Sequence, residues 1–154
     1  MSQTTRALPA NLMTLLMPLA DRTLILPQVS MAELVSYHPT RGAVSGPDWY
    51  LGQVEWRDLR LPLLSFEAAS GSKPVIHDRC RVAVINALGE REHVKFLAVL
   101  LQGIPRSIRV EQNLESADVP LEPLELGAAK IGGEVVKVPD LAALEQLLED
   151  EGLI

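Results

Sequence analysis

The groups in this chain that could do covalent chemistry are a serine–lysine spacing, one cysteine and three histidines. Ser70-Gly71-Ser72-Lys73 has the Ser-x-x-Lys spacing of enzymes in which lysine assists a serine hydroxyl. That spacing works when it forms the first turn of a buried helix. Here it lies in a Gly-Ser stretch ending at Pro74, and the chain contains no Ser-Asp-Asn or Lys-Thr-Gly partner motif. Cys80 is the single cysteine, so no intrachain disulfide forms. Its apolar company, Val82 and Val84, marks a buried thiol rather than a nucleophile. His38, His77 and His93 are far apart, and His77-Asp78-Arg79-Cys80 offers only a lone His–Cys pair, short of a metal site. Phosphate-binding glycine loops and a Gly-x-Ser-x-Gly elbow are missing too. A small-barrel hydrolase using Ser72 or Cys80 is the enzymatic alternative, and neither residue has an acid–base constellation around it. The expectation is a non-enzymatic binding protein that needs no cofactor and no metal.

Binding chemistry is concentrated in Leu51 to Glu67, LGQVEWRDLRLPLLSFE, two alternating runs with Trp56-Arg57-Asp58 between them. Leu59, Leu61 and Leu63 alternate with Arg60 and Pro62, and Val54 and Trp56 alternate with Gln53, Glu55 and Arg57. This period of two is that of half-buried strands. Charges at such a hairpin tip ordinarily serve only solvation, and Trp56 on its own reads as a core side chain.

The elements that must hold this tip are short apolar runs: Leu12–Leu19, Thr23–Leu26, Leu51–Trp56, Leu59–Leu64, Cys80–Ile85, Val94–Leu101, Ile104–Val110 and Glu134–Val138. Gly- and Pro-bearing clusters at 38–42, 45–48, 70–74, 103 and 132–133 punctuate them. Many short strands with such turns predict an all-β sandwich or barrel. Val94–Leu101 is apolar on both faces apart from Lys95 and is expected to be a central strand. Ser30-x-x-Glu33 has capping-box spacing, but the run after it is short for a helix and Leu34-Val35-Ser36-Tyr37 has strand composition. A helix is expected at the end, capped by Asp140, with Leu141, Leu144, Leu147 and Leu148 on one face opposite Glu145 and Glu149. Glu111 to Glu125 holds five acids and no Lys or Arg and reads as a solvated loop. The strand-rich halves before and after 68–78 are similar in size, as two small barrels in one domain spanning 1–154 would be, with the chain end crossing back.

With 154 residues the chain buries roughly two-thirds of its unfolded surface. It is 47% hydrophobic, 4% aromatic and carries a net charge of −6. The charge opposes binding to a phosphate backbone, six aromatics are too few for a base-stacking platform, and Arg79, Arg81, Arg106 and Arg109 are dispersed on strand-like runs. Nucleic acid is therefore not an expected partner. Asn11–Ala20 follows a single Arg6, is interrupted by Pro9, Asn11 and Thr14, and is too short to span a bilayer. A reducing, cytoplasmic location without membrane insertion is expected.

Two segments resemble the CheW-like chemotaxis coupling proteins. Thr23-Leu24-Ile25-Leu26-Pro27 followed by Val29-Ser30-Met31-Ala32-Glu33-Leu34-Val35 is similar to that family's strand, Pro and "Val-x-Glu-Ile/Val" run. Pro47 to Leu64, PDWYLGQVEWRDLRLPLL, resembles its "Pro-x-x-x-x-Gly-x-x-Asn-Leu-Arg-Gly-x-x-x-Pro-Ile" signature, with Gly52, Arg57 and Pro62 at matching spacing. Glu55 stands where Asn is usual and Asp58 where Gly is usual. An Asp tolerates turn dihedrals but adds a negative charge to a contact surface.

The resemblance implies two intertwined five-stranded SH3-like barrels with a short C-terminal helix. It implies an adaptor that couples the cytoplasmic tip of methyl-accepting chemoreceptors to the regulatory domain of a CheA-like histidine kinase. It also implies that Arg57 pairs with Glu33. Surface pairs are worth about 0.2–1 kcal/mol, too little for a stability device, so the expected protein-binding residues are Arg57, Glu33, Val35, Asp58 and Trp56. Met31, Leu34 and Val35 divide between core and contact surface. The altered signature, Trp56 and Asp58 included, leans toward the variants that serve type IV pili and twitching motility. A CheW-fold module that has lost kinase coupling and binds another protein is the remaining alternative.

Overall fold

In the computed structural model, which describes residues 11–39, 44–111 and 114–154, the chain begins with strands β1 (Asn11–Pro18) and β2 (Thr23–Pro27). A 3-10 turn at Gln28–Ser30 leads into β3 (Met31–Ser36), β4 (Tyr50–Trp56) and β5 (Leu59–Leu64). The short helix α1 (Phe66–Ala69) precedes β6 (Arg81–Asn86) and β7 (Phe96–Leu101). Then follow β8 (Arg106–Glu111), β9 (Glu115–Ser116), β10 (Glu125–Ile131), β11 (Glu134–Pro139) and helix α2 (Leu141–Asp150). One sheet has the order β8-β1-β2-β11-β10-β9 and the other β3-β6-β7-β5-β4. The first sheet thus has six strands where five were expected, the extra one being the two-residue β9. The chain opens in the first sheet, builds the whole second sheet, and returns. Its passages between sheets lie at 28–30 and 102–105, whereas 68–78 joins β5 to β6 inside the second sheet.

Strand alternation sorts the apolar residues into three cores. Val82 and Val84 of β6 and Ala98 and Leu100 of β7 fill the interior of the five-stranded sheet with Trp56, Leu61, Leu63 and Cys80. Their neighbours Ala83, Ile85, Leu97, Val99 and Leu101 point the other way. There they meet Leu15, Met17, Leu24 and Leu26 from β1 and β2 of the first sheet. Leu16 and Ile25 turn into a third core with Ala129 and Val136. Both faces of β1, β2, β6 and β7 are therefore covered, which is why these strands read as near-continuous apolar runs. β7 is the middle strand of its sheet, as its double-sided apolarity required.

Helix α2 inserts Leu144 and Leu148, neither with exposed surface, into the core shared by the two sheets. Asp140 caps it, its Oδ1 accepting from the Ala143 amide at 3.0 Å. Glu145 was expected on the wet face and is instead 99% buried. Its carboxylate accepts from the Leu88 amide at 2.8 Å and faces Arg91 Nη1 at 3.4 Å, so it ties the helix to the β6–β7 loop.

The strand composition of Leu34–Ser36 prevails over the Ser30-x-x-Glu33 spacing, and β3 pairs with β6. Strand β10 escaped the sequence reading because Gly127, Ala128 and Ala129 have weak strand preference. It is held by the hairpin to β11, whose Gly132 and Gly133 take φ of 55° and 82°, the left-handed pair that a tight hairpin turn needs.

Candidate interaction site at the hairpin tip

Strands β4 and β5 pair from Tyr50↔Leu64 to Trp56↔Leu59, which leaves Arg57 and Asp58 as a two-residue turn. Both have positive φ, 49° and 64°. This is the backbone of a type I′ turn, whose twist matches that of the strands. The three spaced signature residues each have a backbone reason. Gly52, at φ 103°, sits at the register shift of the β4–β5 ladder, a conformation that a side chain resists. Pro62 lies just before the residues at which β5 joins β7, Leu63↔Ala98 and Leu64↔Val99, so its missing N–H breaks no bond of that ladder. Arg57 occupies the turn itself.

Strands β3 and β4 are the two edges of the five-stranded sheet, and among the described residues no ladder joins them. Side chains span the gap instead. Trp56 Nε1 donates to Glu33 Oε1 at 2.9 Å, and Arg57 Nη2 reaches the same oxygen at 3.2 Å. The Arg57 guanidinium lies over the Trp56 ring, 4.7 Å from its centroid. Behind it Phe96 meets the same ring edge-on at 4.7 Å. Trp56 is buried, Glu33 is half-exposed and the Arg57 side chain is 70% exposed, so the clasp grades from core to solvent. Beside it a cleft of about 410 Å³ is lined by Val35, Ser36, His38, Gln53, Val54 and Val82 among others.

Of the expected site residues, Glu33, Trp56 and Arg57 come together, Asp58 is exposed beside them, and Val35 lines the cleft. Val35 packs on the interior of the five-stranded sheet, while Met31 and Leu34 pack on the core between the sheets. The Trp56–Glu33 hydrogen bond was not legible in the sequence, since its partners lie 23 positions apart.

A second polar cluster was missed for the same reason. Arg22, in the β1–β2 turn, donates from Nη1 to Glu125 Oε2 at 2.9 Å and to Ser70 Oγ at 2.6 Å. Lys137 Nζ lies 2.6 Å from the other oxygen of Glu125. Glu125 therefore does not belong to a solvated loop, as its acidic neighbours suggested; its side chain has no exposed surface. Asp21 accepts from Arg22 and from Ser72, and the Arg22 contact above all holds its carboxyl below the ordinary value of 3.8. The hydroxyls of the Ser-x-x-Lys stretch are thus structural: Ser70 donates to the Pro123 carbonyl and Ser72 to Asp21. Across the first sheet, Arg106 and then Thr23 donate to Glu134 and lower its carboxyl as well.

Cys80 has no exposed surface and lies in the five-stranded interior. Among the described residues no three His, Cys, Asp or Glu side chains gather as a metal would require. None of the helices there is long and apolar enough to cross a membrane. Arg81 lies on β6 of the second sheet, and Arg106 and Arg109 on β8, an edge strand of the first.

The family model of the CheW-like domain matches residues 14–149. The scaffolding protein TtCheW from Thermoanaerobacter tengcongensis superposes with a TM-score of 0.70 at 16% identity, covering 91% of each chain. Among curated proteins none matches the sequence.

Proposed function

Because this chain belongs to the CheW-like domain family, we propose that it is a non-enzymatic coupling adaptor of a chemosensory pathway, joining methyl-accepting receptors to a CheA-like histidine kinase. The observation that supports this reading most directly is the Glu33–Trp56–Arg57 clasp, because it places an exposed cation on the strongest run of family signature. An adaptor of this kind makes and breaks no bonds. It places partners by edge strands, apolar surface and a few oriented charges. Arg57 is pinned on one side by Glu33 and stays open to water on the other. That geometry suits a carboxylate on a partner, which a guanidinium engages through paired N–H groups. Asp58 beside it disfavours a second carboxylate at the tip and so narrows partner choice.

The protein works in the cytoplasm, recruited to receptor arrays through its partners. Its departures from the signature, Trp56 and Asp58, align it with the type IV pilus pathways rather than the flagellar ones. The test is calorimetric titration with the regulatory domain of a CheA-like kinase and with a receptor-tip fragment from the same organism, at two salt concentrations. Saturable micromolar binding to either, lost in Arg57→Glu with the fold intact, supports the reading. Absence of binding to both removes it. Unchanged binding in Arg57→Ala and Arg57→Glu removes the role of Arg57.

A further inference from the structure

The clasp contains a member that the family signature lacks. The signature places a leucine before the arginine; this chain has Trp56. A leucine there could fill the interior but could neither donate to Glu33 nor lie flat beneath a guanidinium. Here the indole does three jobs at once. Its ring packs against Phe96 in the five-stranded interior, its N–H bonds Glu33 Oε1, and its face carries Arg57.

The geometry points to Trp56 as the positioning residue of the interaction site: it fixes Glu33 through its N–H and Arg57 through its ring face, and so converts a mobile surface pair into an oriented one. An exposed Arg–Glu pair alone leaves two long side chains to hold each other, at a cost in rotamer entropy that nearly cancels the attraction. Anchoring both to a buried ring removes most of that freedom before a partner arrives, and pre-ordering of this kind raises affinity. The position matters further because β3 and β4 are the open edges of their sheet. Glu33 stands on one edge and Trp56 on the other, so the same contact sets the width of the cleft between them. Trp56 thus governs both the direction of Arg57 and the shape of the surface beside it.

This inference rests on the coupling reading for its affinity arm, and a second arm is independent of it. In the independent arm, the exchange of the Trp56 indole N–H and the order of the Arg57 Nε–H are followed by NMR in the wild type, Trp56→Phe and Glu33→Ala. The indole signal is assigned by its loss in Trp56→Phe. Slowed indole exchange that Glu33→Ala abolishes, with an Arg57 side chain that becomes disordered in Trp56→Phe, supports the positioning role. Rapid indole exchange in the wild type, or an Arg57 equally ordered in Trp56→Phe, overturns it.

In the affinity arm, Trp56→Phe keeps an aromatic ring in the interior but removes the donor together with one ring of the indole. The expected result is a lowered unfolding midpoint with the fold retained, and about tenfold weaker binding, measured well below that midpoint, to the partner that Arg57 contacts. Arg57→Ala added to Trp56→Phe then costs little more, because the two act as a unit. Full affinity in Trp56→Phe, or losses at 56 and 57 that simply add, overturns the proposal. A wild type that binds neither kinase nor receptor defeats the coupling function instead, and the NMR arm still decides whether Trp56 orients Arg57.

Discussion

Arg22 and Glu125 meet 103 positions apart in the chain, Nη1 to Oε2 at 2.9 Å, with 7% and 0% of their side chains exposed. Around them Ser70, from the second sheet's side of the molecule, and Lys137 of the first sheet complete the hydrogen bonding. The β1–β2 turn is docked further by Ala20, whose amide donates to the buried Glu67 at 2.8 Å. This polar contact binds the two halves of the molecule at the margin of their shared apolar core. Removing Glu125 takes the buried carboxylate from both Arg22 and Lys137, and although Arg22 keeps Asp21, breaking such a buried pair costs up to about 3–5 kcal/mol. Glu125→Ala is therefore expected to lower the thermal midpoint by about 10 °C, while Lys137→Met costs less, since Arg22 still satisfies Glu125. Calorimetric unfolding of the two variants checks the order; equal losses would mean that Arg22 is not the principal partner.

Glu145 is the analogous tie for the last helix. Its loss leaves the Leu88 amide without its carboxylate acceptor. A hydrogen bond to a charged group contributes about 1.5–3 kcal/mol, and this one is part-buried, so Glu145→Ala should destabilise by up to that amount and speed amide exchange at Leu88. Glu145→Gln retains an acceptor oxygen and should recover most of the loss. Urea unfolding with exchange at that amide measures both.

The tip is built on two residues in the left-handed region, Arg57 and Asp58. Gly is favoured over any L-residue at the second position of such a turn. Asp58→Gly is expected to stabilise the fold by about 0.5–1 kcal/mol and to change partner affinity through the lost charge alone. Asp58→Val should destabilise, since a β-branched residue fits positive φ poorly. Unfolding midpoints set beside binding at low and high salt separate the backbone effect from the electrostatic one.

Acid should weaken the fold through Asp21 and Glu134, whose carboxyls lie below their ordinary values of 3.8 and 4.5 because Arg22 and Arg106 donate to them. A carboxyl lowered in the folded state contributes stability above its unfolded value and loses it as pH falls through the folded one. Stability should thus be flat near neutrality and decline below about pH 4.5. Asp21→Asn and Glu134→Gln should each make the acid limb of a stability–pH curve shallower, and an unchanged slope in both would show that other groups control it.

Much of the architecture was readable because period-two alternation and double-sided apolarity are local properties. They located β1, β2, β4 to β8 and β11 to within a few residues, and the Asp140 cap with the leucine stripe located α2. Strand β10 was not readable, because nothing in Leu-Gly-Ala-Ala favours a strand until β11 folds back on it. Glu145 and Glu125 looked like surface acids for a related reason: whether a carboxylate is wet or buried depends on distant donors that sequence neighbours do not reveal.

At the site the division is similar. The spacing of Gly52, Arg57 and Pro62 follows from local backbone needs, a bulge, a turn and a missing donor, so it is written in the order of residues. The contact that gives the turn its direction is not. Glu33 and Trp56 meet only because β6, β7 and β5 lie between β3 and β4 in the sheet and curve its two edges toward each other. Short-range patterning determined which segments become strands and where they turn. Only the closure of the sheet decided which side chains share the gap, because hydrogen-bond partners across open edges are set by curvature and register, quantities that exist only once all five strands are in place.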